Sequence, residues 1–147
     1  MGHELDEAHS LKVISDLNNQ CQYADELDVP DERLKIAEKF LDRLIAARET
    51  ADYQKLEELI EERYREYWLN EKEFKRGLTR IDEDLGAYIT RTHFGSLRAI
   101  DHTMEKFPEG TRHIWRGQFE KANTIIILKV YKKDGDYFLG DIRFDYK

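Results

Sequence analysis

Histidines in two strand-like segments are the residues of this chain best suited to acid–base chemistry. Alternation of side chains along the segment Leu97 to Phe107 places His102 on an apolar face, and alternation along 111–121 places His113 on another. An imidazole titrates near neutral pH and can therefore act as a general base or acid. Asp101 is next to His102, so alternation sends its carboxylate to the opposite face. No acidic partner is therefore predicted on an inward strand position.

Metal chemistry is poorly supported by the histidine spacing. A helical zinc motif needs its second histidine four residues after the first, whereas His9 follows His3 by six residues. A catalytic zinc site needs three protein ligands near an open position. His93, His102 and His113 lie on separate segments. We therefore predict no metal site.

Composition and charge exclude several classes of function. The chain has 147 residues, enough for one domain, and a net charge of −7. Residues 1–32 hold nine acids and one base, and the remaining 115 residues hold 22 acids and 23 bases, so nucleic acid is not the predicted partner. No apolar run is long enough to span a membrane, and no signal peptide is evident, unless one has been removed, so the expected location is cytoplasmic. No glycine-rich phosphate motif occurs, so no cofactor is expected, and Cys21 is alone and predicted to be structural.

Helical periodicity dominates the first 85 residues. Apolar residues recur every three or four positions over 5–26, 31–48 and 71–85, with a further helix between residues 53 and 67. Pro30 separates the first two helices, with Asp31 as the expected cap of the second, and Gly86 is a stop signal after the last. We accordingly divide the chain into an acidic helical extension, 1–30, and a single α+β domain, 31–147.

From about residue 88 the residue pattern changes from one typical of helices to one typical of antiparallel strands. Phe94-Gly95-Ser96 is expected to be a break before the strand Leu97 to Phe107. Helices first and strands afterwards predict an α+β fold with the helices packed on one face of a curled, mainly antiparallel sheet. The last two strands form a hairpin for which a three-residue loop, 133–135, is predicted, because a two-residue loop would set Leu128 against Asp141. This loop would pair Val130 with Phe138, Leu128 with Gly140 and Ile126 with Ile142.

Two stretches carry a family resemblance. They are AEKFLDRLIAARETADYQKLEELI near the start and FEKANTIIILKVYKKDGDYFLGDIRFDYK at the end. Over residues 33–147 the chain resembles the nuclear transport factor 2-like superfamily, which includes ketosteroid isomerase and uncharacterised bacterial domains. It departs from that pattern in Tyr137-Phe138, where a lone tryptophan is common, and in the extra first helix. The resemblance implies a cone-shaped, cystatin-like fold that is often dimeric through the outer sheet face, and it implies no single activity.

Within such a cone, some family members hold an acid–base pair in an apolar pocket. The corresponding pocket candidates here are the two histidines and three aromatic walls: Tyr64, Trp68, His102, His113 and Trp115. The outer hairpin face is predicted to carry apolar residues that a second subunit or the first helix would cover: Ile125, Ile127, Tyr131, Tyr137 and Leu139. The function predicted is a non-catalytic binding or assembly module. It would be a homodimer and could hold a small apolar ligand or a protein partner. The alternative is a pocket enzyme with His102 or His113 as general base. A packed interior would favour the module, and an open cavity would favour the enzyme.

Overall fold

A computed structural model describes residues 23–25, 29–69, 72–100 and 110–146. Its elements, in chain order, are β1 (Tyr23–Asp25), α1 (Asp31–Thr50), a 3₁₀ segment (Tyr53–Leu59), α2 (Glu62–Leu69), α3 (Lys72–Leu85), β2 (Tyr88–Ile100), β3 (Gly110–Phe119), β4 (Asn123–Lys133) and β5 (Asp136–Asp145). The α+β class is therefore confirmed. None of the helices in the described ranges is long and apolar enough to cross a membrane.

Helix α1 forms because one stripe of small and branched apolar residues faces the sheet. Ala37, Leu41 and Leu44 are buried almost completely. The helix ends at Ala51, which adopts the left-handed conformation and donates its N–H to the carbonyl of Arg48. The prediction that Asp31 caps the helix is wrong, because Pro30 occupies the cap position. Asp31 lies in the first turn, where its charge is favourable to the helix dipole.

The predicted third helix is wrong in its first half. Residues 53–59 form a 3₁₀ segment, Ile60 is extended, and α2 begins only at Glu62. The extended turn lets Leu59 and Ile60, which are adjacent in sequence, both become buried. Arg65 Nε donates to the carbonyls of Glu57 and Ile60 at 3.1 and 3.0 Å, and the carbonyl of Glu57 also accepts from the N–H of Ile60.

The sheet is an open antiparallel meander of five strands in the order β1-β2-β3-β4-β5. Strand β1 covers three residues that the sequence assigned to the end of the first helix, so that helix prediction is wrong over Tyr23–Asp25. The other residues of the predicted extension helix lie outside the described ranges. The predicted break at 94–96 is also wrong, because β2 begins at Tyr88 and runs through these residues. Residues 101–109 of the predicted strand lie outside the described part of the chain.

Strand β2 contains two irregularities, and the second lies at its predicted break. Tyr88 pairs with Phe119 and Thr90 with Gln118, which leaves Ile89 as an extra residue. In the same way His93 and Gly95 pair with consecutive residues of β3, so that Phe94 is extra. A bulge of this kind bends a strand without ending it, which explains how a Gly-Ser sequence is accommodated inside β2.

The hairpin of β4 and β5 differs from its predicted register. Its loop has two residues, Asp134 and Gly135, both with positive φ, and not three. The predicted clash of Leu128 with Asp141 is avoided by a register shift at Gly140, so that Leu128 pairs with Ile142. The one-residue correction that the apolar pattern requires is therefore present, but it lies away from the turn.

The shift at Gly140 exchanges the faces of β5. Leu139, on the turn side of the shift, packs in the cluster of the helices and the sheet face beneath them, which we call the inner face. Ile142 and Phe144, beyond the shift, pack against the same cluster. Phe138 lies on the opposite, outer face, where its ring is 5.8 Å from that of Tyr131.

Candidate functional site

Polar side chains of β2 and β3 form a chain of close contacts on the inner face. Ser96 Oγ lies 2.9 Å from His93 Nε2 and 2.8 Å from His113 Nδ1. On its other side, His113 Nε2 lies 2.9 Å from Thr111 Oγ1. The strands place these groups together because Ser96 pairs directly with His113 across the ladder. We call these four residues the histidine chain.

His113 is held as a neutral ring at the buried end of the histidine chain. Its side chain is fully buried. Burial, assisted by the nearby charges of His93 and Arg33, lowers the pKa of His113 from 6.5 to about 3. Each ring nitrogen faces a hydroxyl group, and a hydroxyl can donate or accept, so either neutral tautomer is satisfied.

The histidine chain is badly arranged for catalysis. A serine nucleophile needs a base that becomes positively charged and an anionic partner that stabilises that charge. His113 has a neutral hydroxyl of Thr111 at the position where such a carboxylate would lie, and burial opposes its protonation. The geometry therefore supports a structural role for His113, and it argues against His113 as a general base at neutral pH.

A second network joins α1 to the sheet next to the histidine chain. The indole N–H of Trp115 donates to Glu38 Oε1 at 2.7 Å. Arg91 donates from Nε and Nη2 to the other oxygen of Glu38, Oε2, and the distance from Nε is 3.0 Å. Arg91 Nη2 also donates to Asp42 Oδ1 at 2.7 Å. The carboxylates of Glu38 and Asp42 raise the pKa of Arg91 against the opposing effect of burial. Tyr88 accepts a further bond of 3.3 Å from the same guanidinium.

Trp115 links the two networks through ring contacts. Its ring centroid lies 6.0 Å from that of His93 and 6.2 Å from that of His113. Trp115 is itself fully buried, so both networks contact a single buried aromatic ring. The polar atoms of the site thus form hydrogen bonds with one another, which leaves few of them to bind a substrate.

The structure brings together two of the five predicted pocket residues, His113 and Trp115. Tyr64 lies in α2, where its ring is 4.8 Å from the guanidinium carbon of Arg63, and its N–H donates to Glu61. Glu61 in turn binds Tyr131 and Lys133 of the hairpin, and these bonds lower its pKa against the effect of burial. The side chain of Trp68 and all of His102 lie outside what the structure describes.

Sequence reasoning predicted only His113 and Trp115 and missed the other residues of the site, among them Glu38, Arg91 and Ser96. Glu38 follows Ala37 at the border of the apolar stripe of α1, which is a detectable signal for a half-buried carboxylate. Arg91 and Ser96 were missed because the start of β2 was placed too late. Within the described ranges, no group of three or more His, Cys, Asp or Glu side chains could hold a metal ion.

Comparisons with known proteins give no family for this chain. No protein-family model, no curated protein and no solved structure matches it. The resemblance to the nuclear transport factor 2-like superfamily therefore stays a prediction that these comparisons neither support nor contradict.

Three residues of the predicted dimer surface are buried in the single chain. Ile125, Ile127 and Tyr131 lie on the outer face and are at most 4% exposed. Leu139 and Tyr137 belong to the inner face, where they pack against the helices, so their assignment to the outer face is wrong. The exposed apolar surface from which dimerisation was predicted is consequently not observed, and dimerisation remains untested.

The large apolar side chains that are exposed in the described ranges both lie on β2. They are the two bulge residues, Ile89 and Phe94, which are 56% and 36% exposed. The guanidinium of Arg116 lies 5.4 Å from the ring centre of Phe94. An open cleft of about 270 Å³ includes this Arg116 and is lined by Thr90, Thr92, Arg116, Gly117, Gln118, Asn123 and Thr124. We call the cleft together with Ile89 and Phe94 the β2 surface.

Proposed function

We propose that this chain is a non-catalytic binding module and that it contacts a protein partner through the β2 surface. The observation that carries the proposal is the placement of both exposed large apolar side chains on one strand, beside a cleft with hydroxyl and amide groups. An apolar anchor with polar groups around it is the usual composition of a protein contact.

The filled interior supports a binding role over catalysis. Trp115, Phe119 and Ile126 occupy the space between sheet and helices, and none is more than 3% exposed. The polar groups that reach this interior are bonded to each other, as described for the histidine chain and for Glu38. A partner would therefore meet the outside of the sheet, and a small apolar ligand would have to displace packed side chains.

The lining of the cleft suggests the chemistry of the partner. It contains one guanidinium, two amides and three hydroxyl groups, and no carboxylate. Such a surface fits a protein segment that offers backbone carbonyls or carboxylates to the cleft and an apolar side chain to Phe94. Bulges at Ile89 and Phe94 interrupt the edge of β2, so side-chain contacts are favoured over the addition of a long strand.

A peptide selection tests the proposal. A random peptide library would be selected against the intact protein, and the selected peptides would be measured against Phe94→Ser and against Gln54→Ser, an exposed position on the 3₁₀ segment. We expect Phe94→Ser to abolish binding and Gln54→Ser to leave it unchanged, with circular dichroism confirming that both variants fold. Peptides that bind the Phe94→Ser variant as tightly as the wild type would place the contact surface elsewhere.

Native mass spectrometry addresses the competing possibility of an interior ligand. We expect the mass of the polypeptide or of its assembly, with no additional compound. A retained small molecule that is lost in a Trp115→Phe variant would contradict the packed interior and would favour a pocket protein. An enzyme in the cone would then depend on His102, and that role stays a prediction.

The finer features of the fold belong to the same proposal. The cone shape and the nuclear transport factor 2-like assignment are supported by helices that precede an antiparallel meander and pack on one of its faces. Among the described residues, the outer-face positions Ile125, Ile127 and Tyr131 are buried, so homodimerisation through them is not part of the proposed function.

A further inference from the structure

A second apolar cluster lies on the outer face, away from the helices. It consists of Leu97 on β2, Ile114 on β3, and Ile125 and Ile127 on β4, none more than 4% exposed. Among the described residues, every buried apolar side chain of the helices belongs to the inner cluster instead. The outer cluster is thus buried although the described helices contribute nothing to it.

A charged residue on the same face is buried as deeply as the apolar ones. Lys129 shares the outer face with Ile125 and Ile127 and is only 3% exposed. A bare sheet face would leave a lysine side chain in water, since lysine is almost never fully buried on an open surface. Its burial indicates that the cover extends over the middle of β4.

The position of β1 indicates where a cover could come from. Tyr23 pairs with Ile100, three residues beyond Leu97, so the chain that precedes Tyr23 starts about 10 Å along β2 from the outer cluster. A helix over residues 5–22 would be about 27 Å long, since each residue adds about 1.5 Å. Strands are spaced about 4.8 Å apart, so the distance from β1 to β4 is only about 14 Å.

The sequence of that segment has the matching chemistry. Its apolar residues recur at helical spacing: Leu5, Ala8, Leu11, Ile14, Leu17 and Cys21. Its charged residues are three acids and one base, Asp6, Glu7, Asp16 and Lys12. The outer face of β3 to β5 carries four bases and two acids, Arg112, Arg116, Lys129, Arg143, Asp141 and Asp145. The two surfaces are therefore complementary in both hydrophobicity and charge.

We propose that residues 5–22 dock on the outer face of their own chain as an amphipathic helix and cover Leu97, Ile114, Ile125 and Ile127. The apolar side of the helix packs on these four residues, and its acidic side chains lie towards the basic residues around them. The sheet then has helices on both faces, and the acidic extension is part of the folded domain. The four covered residues do not belong to the β2 surface, and the two surfaces share Arg116.

Paramagnetic broadening tests the docking in the full chain. Cys21 is the only cysteine, so a Cys21→Ser, Ser15→Cys protein takes a nitroxide label in the middle of the segment. Isoleucine and leucine methyl groups would be observed by NMR. We expect broadening at Ile114, Ile125 and Ile127, with much less at Leu41 and Leu44, which lie in α1 beyond the sheet.

A mixed sample separates the chain's own segment from a second copy. Nitroxide-labelled protein without isotopes is mixed with isotope-labelled protein that carries no nitroxide. We expect no broadening in this mixture. Broadening there would show that another copy covers the face, and no broadening in either sample would show that the segment does not dock. Either result overturns the proposal.

A matched pair of substitutions supplies a second readout. Ile14→Asp places a charge on the apolar stripe, and Ser15→Asp places one beside it. We expect Ile14→Asp, but not Ser15→Asp, to shift the methyl resonances of Ile125 and Ile127 and to accelerate amide exchange in β4. Equal effects of the two substitutions would count against an oriented helix.

Discussion

Removing the carboxylate of Glu38 should destabilise the fold more than its partial exposure suggests. In Glu38→Ala the indole N–H of the fully buried Trp115 loses its acceptor, which costs about 1–3 kcal/mol. Arg91, whose side chain is only 12% exposed, loses one of its two carboxylates and keeps Asp42, which adds about 1 kcal/mol. The expected loss in free energy of unfolding is therefore about 2–4 kcal/mol.

Asp42→Ala is the matched control for this prediction. Asp42 binds the same guanidinium from the same helix, but its side chain is 66% exposed, so its removal should cost about 0–1 kcal/mol. Urea unfolding followed by far-ultraviolet circular dichroism measures both variants, and it stays usable when Trp115 is changed.

A double-mutant cycle with Trp115→Phe isolates the indole contribution. In the Trp115→Phe background no N–H needs the carboxylate, so Glu38→Ala should cost about 1–3 kcal/mol less than in the wild type. A coupling energy below about 0.5 kcal/mol would refute the reasoning, since values of that size are found for independent sites. Equal costs for Glu38→Ala and Asp42→Ala would refute it too.

Three further predictions concern the turn and the titrating groups. Gly135 has φ of +86°, so Gly135→Ala should lower the free energy of unfolding by about 1 kcal/mol, measured as a lower melting temperature. Gly77 lies in helix α3 with open space around it, so Gly77→Ala should raise the free energy of unfolding by about 0.5–1 kcal/mol. The pKa of His113 is about 3 in the folded chain and 6.5 in the unfolded chain, so the unfolded chain binds more protons between these pH values and the free energy of unfolding decreases as pH falls through them. This decrease should be smaller in His113→Gln. The same pH dependence in His113→Gln and the wild type would contradict a buried neutral ring. Burial and, to a smaller extent, the hydrogen bond to Asp82 raise the pKa of Tyr53 from 10 to about 12, so the folded chain keeps the phenolic proton to higher pH than the unfolded chain. The stability advantage of the wild type over Tyr53→Phe should therefore disappear as pH rises from 10 to 12. A difference in unfolding free energy that stays constant over this range would contradict the raised pKa.

The α+β class and the stripe of α1 could be predicted from sequence because both depend on periodicity. The sequence also indicates that the hairpin needs a one-residue shift, since Leu128 cannot face Asp141. It does not indicate where the shift lies, because a bulge at Gly140 pairs Val130 with Leu139 and a longer loop pairs it with Phe138, and both partners are apolar. Choosing the loop reversed the faces of Tyr137 and Leu139, and these two errors entered the predicted dimer surface.

The site was predictable only where its residues lie on regular strands. His113 and Trp115 alternate on β3 and were found, while the irregular β2 concealed Ser96. Pairing between distant elements was not accessible either, because nothing local links Glu38 to Trp115 across 77 residues. Local pattern identifies which face a residue occupies, and tertiary packing determines which polar groups satisfy one another.

The two bulges of β2 also bear on how the protein behaves at high concentration. Strand β1 pairs only with residues 98–100, so most of β2 has β3 on one side alone among the described strands. Between the bulges only Thr90–His93 has a regular ladder, which is too short to template the growth of a foreign strand. Deleting Phe94 would lengthen that straight edge, and we expect the shortened protein to form intermolecular sheet on storage where the natural chain does not.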